Sequence, residues 1–125
     1  MELQTEHGGK QCYALGQHSW ARLDPDGSAT LGVAETFPHL LGEVEKIEIP
    51  EPDGHTVQGT CLSRIQSAGA LVHRVWAPLS GRIIAVNSRL ETETDLINTD
   101  PCHDGWLVRI IPSSLEEELP ILTQR

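Results

Sequence analysis

The sequence predicts a small all-β domain, a sandwich or barrel, and three observations carry that prediction. Short apolar runs of strand length recur along the chain. Turn signals rich in Gly and Pro separate them, with DPDG at 24–27, PDG at 52–54 and APLSG at 77–81. The 125 residues hold no linker, low-complexity tract or strong repeat, and their number suits one domain. A chain of that size buries a core without metal or disulfide staples. With three Trp, one Tyr and one Phe, that core must be filled by Leu, Ile and Val.

The elements follow in order. Residues 1–12 read as a flexible polar leader carrying Gly8-Gly9, and 13–125 as a single domain. Residues 13–23 look extended. Asp24-Pro25-Asp26-Gly27 turns the chain, since Pro presets φ and Gly accepts positive φ, and SATLGV at 28–33 completes a hairpin. ETFPHLL at 35–41 is a short helix, with Pro38 in its first turn and Gly42 to end it. In the strand over 43–50, Val44, Ile47 and Ile49 face inward and Pro50 stops it. A short strand at Thr56-Val57, broken by Gly59, precedes a strand over 61–66 that places Cys61 in the core. Residues 65–81, IQSAGALVHRVWAPLSG, form a central hairpin with a small-residue tip, because Gly69 allows the backbone conformation a tight tip needs. Strands over 82–86 and 106–111 flank a mostly irregular stretch. Ser113 or Ser114 with Glu116 or Glu117 makes a capping-box pattern for a C-terminal helix that Pro120 cuts short.

Composition narrows the function. Nine Lys and Arg against 18 Asp and Glu give a net charge of −9. That disfavours nucleic acid and anionic membranes, which both require basic surfaces. The N-terminus lacks an apolar signal core, no run is long enough to span a membrane, and a cytoplasmic monomer is expected. Cys12, Cys61 and Cys102 are odd in number and show no CxxC spacing, as reduced thiols would. Cys102-His103-Asp104 invites a thiol or metal reading, but three consecutive loop residues do not converge on one centre, and no metal site is expected. Trp20, Trp76 and Trp106 read as packing residues, and Glu116-Glu117-Glu118 as a solvated helix face.

A longer pattern now emerges. His18-x-Trp20, Thr30-Leu-Gly-Val33, Leu41-Gly42 and Ile47-Glu-Ile-Pro50 occur in order. Gly54, Gly59, Ala77-Pro-Leu-Ser-Gly81, Val86-Asn87, Leu96-Ile-Asn98, Asp100-Pro101 and Gly105-Trp-Leu107 continue it. The ordered set resembles the glycine cleavage system H protein. That resemblance covers most of the chain and implies a barrel-sandwich hybrid, a lipoyl-domain-like β-sandwich with short helices near 35–41 and at the C-terminus. It also implies a role in glycine catabolism as a carrier, not a catalyst. In the family, a lipoyl group on a lysine at the hairpin tip accepts an aminomethyl group from the glycine-decarboxylating enzyme. The arm passes it to a tetrahydrofolate-dependent aminomethyltransferase and is reoxidised by a flavoprotein. A long arm on an exposed turn serves several active sites while the protein surface selects partners.

The tip departs from this pattern. The family reads Glu-Ser-Val-Lys-Ala; here the run is Gln66-Ser67-Ala68-Gly69-Ala70. The acceptor position falls at Gly69 or Ala70, depending on the side from which the segment is aligned, and neither supplies an amine. Lys10 and Lys46 are the only lysines, and both lie well before the hairpin in sequence. The acid preceding the family's Ser is Gln66, that between His18 and Trp20 is Ser19, and His73 and Arg74 stand where a small residue and an acid are usual. His73 reads as a solvated strand histidine, with a proton-shuttle or metal-ligand role as its functional alternative.

The expected chain is therefore an H-protein-like scaffold with no covalently bound lipoyl group. Gln66, Ser67, Ala68, Gly69, Ala70, His73 and Arg74 would form a tip that binds glycine cleavage components or lipoate ligase-like enzymes. A second expectation keeps the aminomethyl carrier role with an unusual or non-covalent lipoyl arrangement. A third is a thiol- or metal-dependent activity at Cys102 and His103.

Overall fold

Ten short strands, all paired antiparallel, form two sheets in the computed structural model, which describes residues 12–15, 19–34, 43–69 and 71–124. They are β1 (Cys12–Leu15), β2 (Ser19–Leu23), β3 (Ala29–Val33), β4 (Val44–Glu48), β5 (His55–Thr56), β6 (Cys61–Ser67), β7 (Leu71–Trp76), β8 (Gly81–Val86), β9 (Val108–Pro112) and β10 (Thr123–Gln124). One sheet has the order β10-β1-β2-β3-β9-β8-β5 and the other β4-β6-β7. The mainly-β fold expected from the sequence is present. The helix expected over 35–41 lies outside the described residues.

The core lies between the sheets. Leu31, Ile65, Leu79, Leu107 and Ile110 are fully buried, joined by Leu90 and Ile97 from the connection before β9. Burying each such side chain contributes about 1.5–3 kcal/mol. Trp20 is buried as expected, and its indole N–H donates to the Pro101 carbonyl at 3.2 Å. Its ring lies against Gly32, its register partner on β3, where a Cβ would collide with the indole. Gly32 is therefore a close-approach glycine.

Bulges reconcile the strands with their apolar pattern. Val44 and Ile47 are both buried although three positions apart, because the β4–β6 register shifts between Val44 and Lys46. A second shift, between Cys61 and Ser63 in β6, buries Leu62 and Ser63 consecutively and turns Cys61 outward. Cys61 is exposed, contrary to the core position expected from alternation, since the extra residue reverses the face.

The stretch expected to be irregular contains a 3₁₀ turn (Ser88–Glu91) and a single-turn helix, α1 (Leu96–Thr99). Buried Asn87 organises it, donating from Nδ2 to the carbonyls of Asp104 and Trp106, each at 2.8 Å. The C-terminal helix, α2 (Leu115–Glu118), forms, but Ser114 makes no side-chain cap, so the capping box is not realised. The α-helix stops at Glu118, and Pro120 lies in a 3₁₀ turn (Leu119–Ile121) that leads into β10, which the sequence had not suggested and which pairs with β1. Glu118 is not a solvated residue of the helix face. Its carboxylate accepts from the Ser80 amide at 2.7 Å and the Ser80 hydroxyl at 2.5 Å.

Replacing Gly32 with Ala is expected to lower stability by about 1–3 kcal/mol, the usual range for overpacking. Urea denaturation followed by tryptophan fluorescence measures it; an unchanged midpoint would show that the Trp20 ring yields.

Candidate functional site

The hairpin of β6 and β7 carries the residues that the sequence singled out. Its closing pair is Ser67 and Leu71, and Ala68 and Gly69 form the described part of the turn. Gly69 has φ +82°, a conformation that favours glycine over residues with a side chain. Ala70 lies outside the described residues, as does His18. The Ala68 amide donates to the Glu43 carbonyl at 3.0 Å, which ties the tip to the start of β4.

Ser67 and His73 meet beneath the tip. Ser67 is buried, and its Oγ lies 3.1 Å from Nε2 of His73. His73 is half-buried and clasped, not solvated as the sequence suggested, because its register places it on the inner side opposite buried Ile65. A Ser–His pair suggests nucleophilic chemistry, but a hydroxyl this buried cannot receive a substrate. The pair serves as a clasp at the base of the loop. Arg74 points the other way and is exposed.

Register assembles the outer face of this sheet. Lys46, Gln66 and Val72 stand in one row across β4, β6 and β7, and Glu48, Arg64 and Arg74 in the next. Lys46, distant from the hairpin in sequence, is thus its neighbour in space. Sequence reasoning missed this because only strand pairing reveals it. Lys46, Glu48, Arg64, Gln66 and Val72 line a depression of about 110 Å³. Arg64 and Glu48 pair at 3.1 Å with both side chains more than half exposed, an arrangement worth at most about 1 kcal/mol.

The other expected site does not assemble. Cys102 is buried, while the exposed His103 ring turns to Asp100 at 3.1 Å. The backbone amide of Asp104 also goes to Asp100, at 3.2 Å. Among the described residues, no group of three or more His, Cys, Asp or Glu side chains is placed to hold a metal ion.

A larger concavity, about 460 Å³, escaped the sequence reading. Arg22, Asp24, Asp26, Thr30, Trp106 and Arg109 line it, around the DPDG turn. Its charges answer one another. Arg109 donates to Asp26 at 3.1 Å and to Ser28 Oγ at 2.8 Å, and Asp24 accepts from Thr30 at 2.8 Å. Arg22 bonds the Cys102 carbonyl and stacks over Trp20, 5.4 Å from the ring centroid. Arg22 near the end of β2 and Asp24 just beyond it, two positions apart, were the signal that could have found it. The Ser28 hydroxyl and amide, with help from Arg109, hold the Asp26 carboxyl below its ordinary range.

Two sheets enclosing one core, with a hairpin exposed at an end, define the barrel-sandwich class of lipoyl-type domains. The glycine cleavage H-protein family model matches residues 12–125. A glycine cleavage system H protein of Shewanella loihica is 39% identical over 100 residues, 80% of this chain and 77% of the relative. A probable glycine cleavage system H protein of Thermococcus kodakarensis is 36% identical over 107 residues, 86% of this chain and 78% of its own. The crystal structure of a glycine cleavage system H protein from Mycobacterium marinum superposes with a TM-score of 0.73 at 26% identity, over 82% of this chain and 84% of that one. The chain belongs to the glycine cleavage H-protein family.

Two outcomes follow. His73→Ala is expected to accelerate hydrogen exchange at the Ala68 amide while leaving the Ile65 amide protected; equal exchange at Ala68 in both proteins would remove the clasp. Because the Asp26 pKa is lowered by folding, its contribution to stability is present above the ordinary aspartate value and is lost as pH falls through the lowered one. Asp26→Asn should therefore flatten the acid side of a plot of urea midpoint against pH, and parallel profiles would contradict it.

Proposed function

We propose that the chain is an H-protein scaffold that is not lipoylated at its hairpin and acts as a non-catalytic binding or regulatory partner of glycine cleavage or lipoate-handling enzymes. One observation carries this reading. The acceptor position falls at Gly69 or Ala70, in a loop without an amine, and Gly69 adopts a conformation suited to glycine. An amide-linked arm requires a lysine amine, and the tip offers none.

Two features support a scaffold kept for docking. The position between His18 and Trp20, acidic in many relatives by the resemblance drawn above, is Ser19, which is fully buried and donates from Oγ to the Trp76 carbonyl at 2.6 Å. A carboxylate there would be buried against an oxygen acceptor. The rest of the scaffold, from the APLSG turn to Asn87, keeps its packing and hydrogen bonds. Among the described residues no helix is long and apolar enough to cross a membrane.

The carrier reading, with an unusual or non-covalent lipoyl arrangement, has one covalent candidate among the described residues, the exposed Lys46, which stands beside Gln66 on the hairpin's flank. The same experiment decides between the two. The protein is incubated with a lipoate ligase, ATP and lipoate, and its intact mass is measured beside that of a lysine-bearing H protein. The expected mass is unchanged. A lipoyl amide mapped by peptide sequencing to Lys46 would establish the carrier reading instead.

A further inference from the structure

We propose that the outer face of the β4–β6–β7 sheet docks an acidic, extended segment of a different protein. This deepens the binding-partner reading and rests on it. The chain carries a net charge of −9, yet this face runs against that balance, with Lys46, Arg64 and Arg74 set against Glu48. Glu48 is engaged by Arg64. Among the described residues neither Lys46 nor Arg74 has an ion-pair partner, so two cations remain available on neighbouring rows.

The apolar part lies between them. Val72 is 56% exposed, directly across β6 from Lys46 and two residues from Arg74 on the same face. The depression between Lys46, Arg64 and Gln66 is large enough for one partner carboxylate, which Lys46 would meet without disturbing the Arg64–Glu48 pair. β7 is the edge strand of its sheet, so an extended partner can also reach its open backbone groups near the tip. Glu43 and Glu45 stand at the start of β4, away from β7, and would repel an acidic partner at that margin. They therefore bias the docked segment toward the β6–β7 side.

The charge pattern favours protein over nucleic acid. A basic patch of three residues on a strongly acidic chain steers a local acidic segment at short range, whereas a polyanion spanning more of the surface meets net repulsion.

The test uses the full chain and a fluorescent extended peptide alternating Glu and Val, followed by anisotropy, with amide chemical shifts to map the contact. Binding is expected with shifts confined to β4, β6 and β7, and it should weaken as salt rises from about 50 to about 200 mM. The Lys46→Glu, Arg74→Glu protein should bind about tenfold more weakly. Arg82→Glu, an exposed cation on β8 of the other sheet, should bind as the parent does, and unchanged amide dispersion in each variant confirms its fold. No binding, binding insensitive to the double reversal, or shifts around Arg22 and Arg109 would overturn the proposal. Equal affinity for a single-stranded oligonucleotide, or sedimentation showing that the face pairs two copies of this chain, would overturn it too. Lipoylation at Lys46 would sink the binding-partner reading through a mass change, which the peptide titration does not read.

Discussion

The turn from Ala77 to Gly81 is the constraint on which both sheets depend. It carries the chain from β7 in the small sheet to β8 in the large one, and two distant segments hold it. Thr56 donates to the Leu79 carbonyl at 2.7 Å, and Gln58 donates to the Pro78 carbonyl at 2.9 Å. Glu118 receives both the amide and the hydroxyl of Ser80. Leu79 anchors the turn in the core, and Pro78 contributes no amide that would need a partner. Polar groups from two distant segments, 56–58 and the end of α2, thus converge on one crossing.

Strand identity was legible wherever alternation and turn chemistry agreed, as in the DPDG hairpin and in Ile83 and Ile110 across β8 and β9. Bulges defeated alternation locally, and Cys61 is the clear case. The shift at Cys61 and Ser63 depends on tertiary pairing with β7, which no local pattern encodes. The same limit hid β10, two residues whose strand conformation exists only through β1. Glu118 looked like one solvated acid among three, because its partner Ser80 lies far away in sequence.

The candidate site was legible in its omissions more than in its contacts. Gly69 marked the tip in the sequence, and its φ is positive. The Ser67–His73 clasp required knowing that β6 and β7 pair in a register that stacks both on the inner side. The charged outer face required the register of a third strand, since Lys46 precedes Gln66 by most of the β4-to-β6 connection. The concavity around Arg22 and Asp24 was not read from the sequence, because Arg109 joins them only through the β3–β9 ladder.

That ladder also has a kinetic meaning. Ala29 to Leu31 pair with Val108 to Ile110, so the large sheet cannot close until segments from opposite ends of the described fold have met, and such distant contacts form slowly. The β6–β7 hairpin joins neighbours in sequence and can form before that event. Its tip contributes little to the slow step. A protein organised in this way can exchange the residues at its tip with small effect on the rate at which it folds, which leaves that position open to change when its task changes.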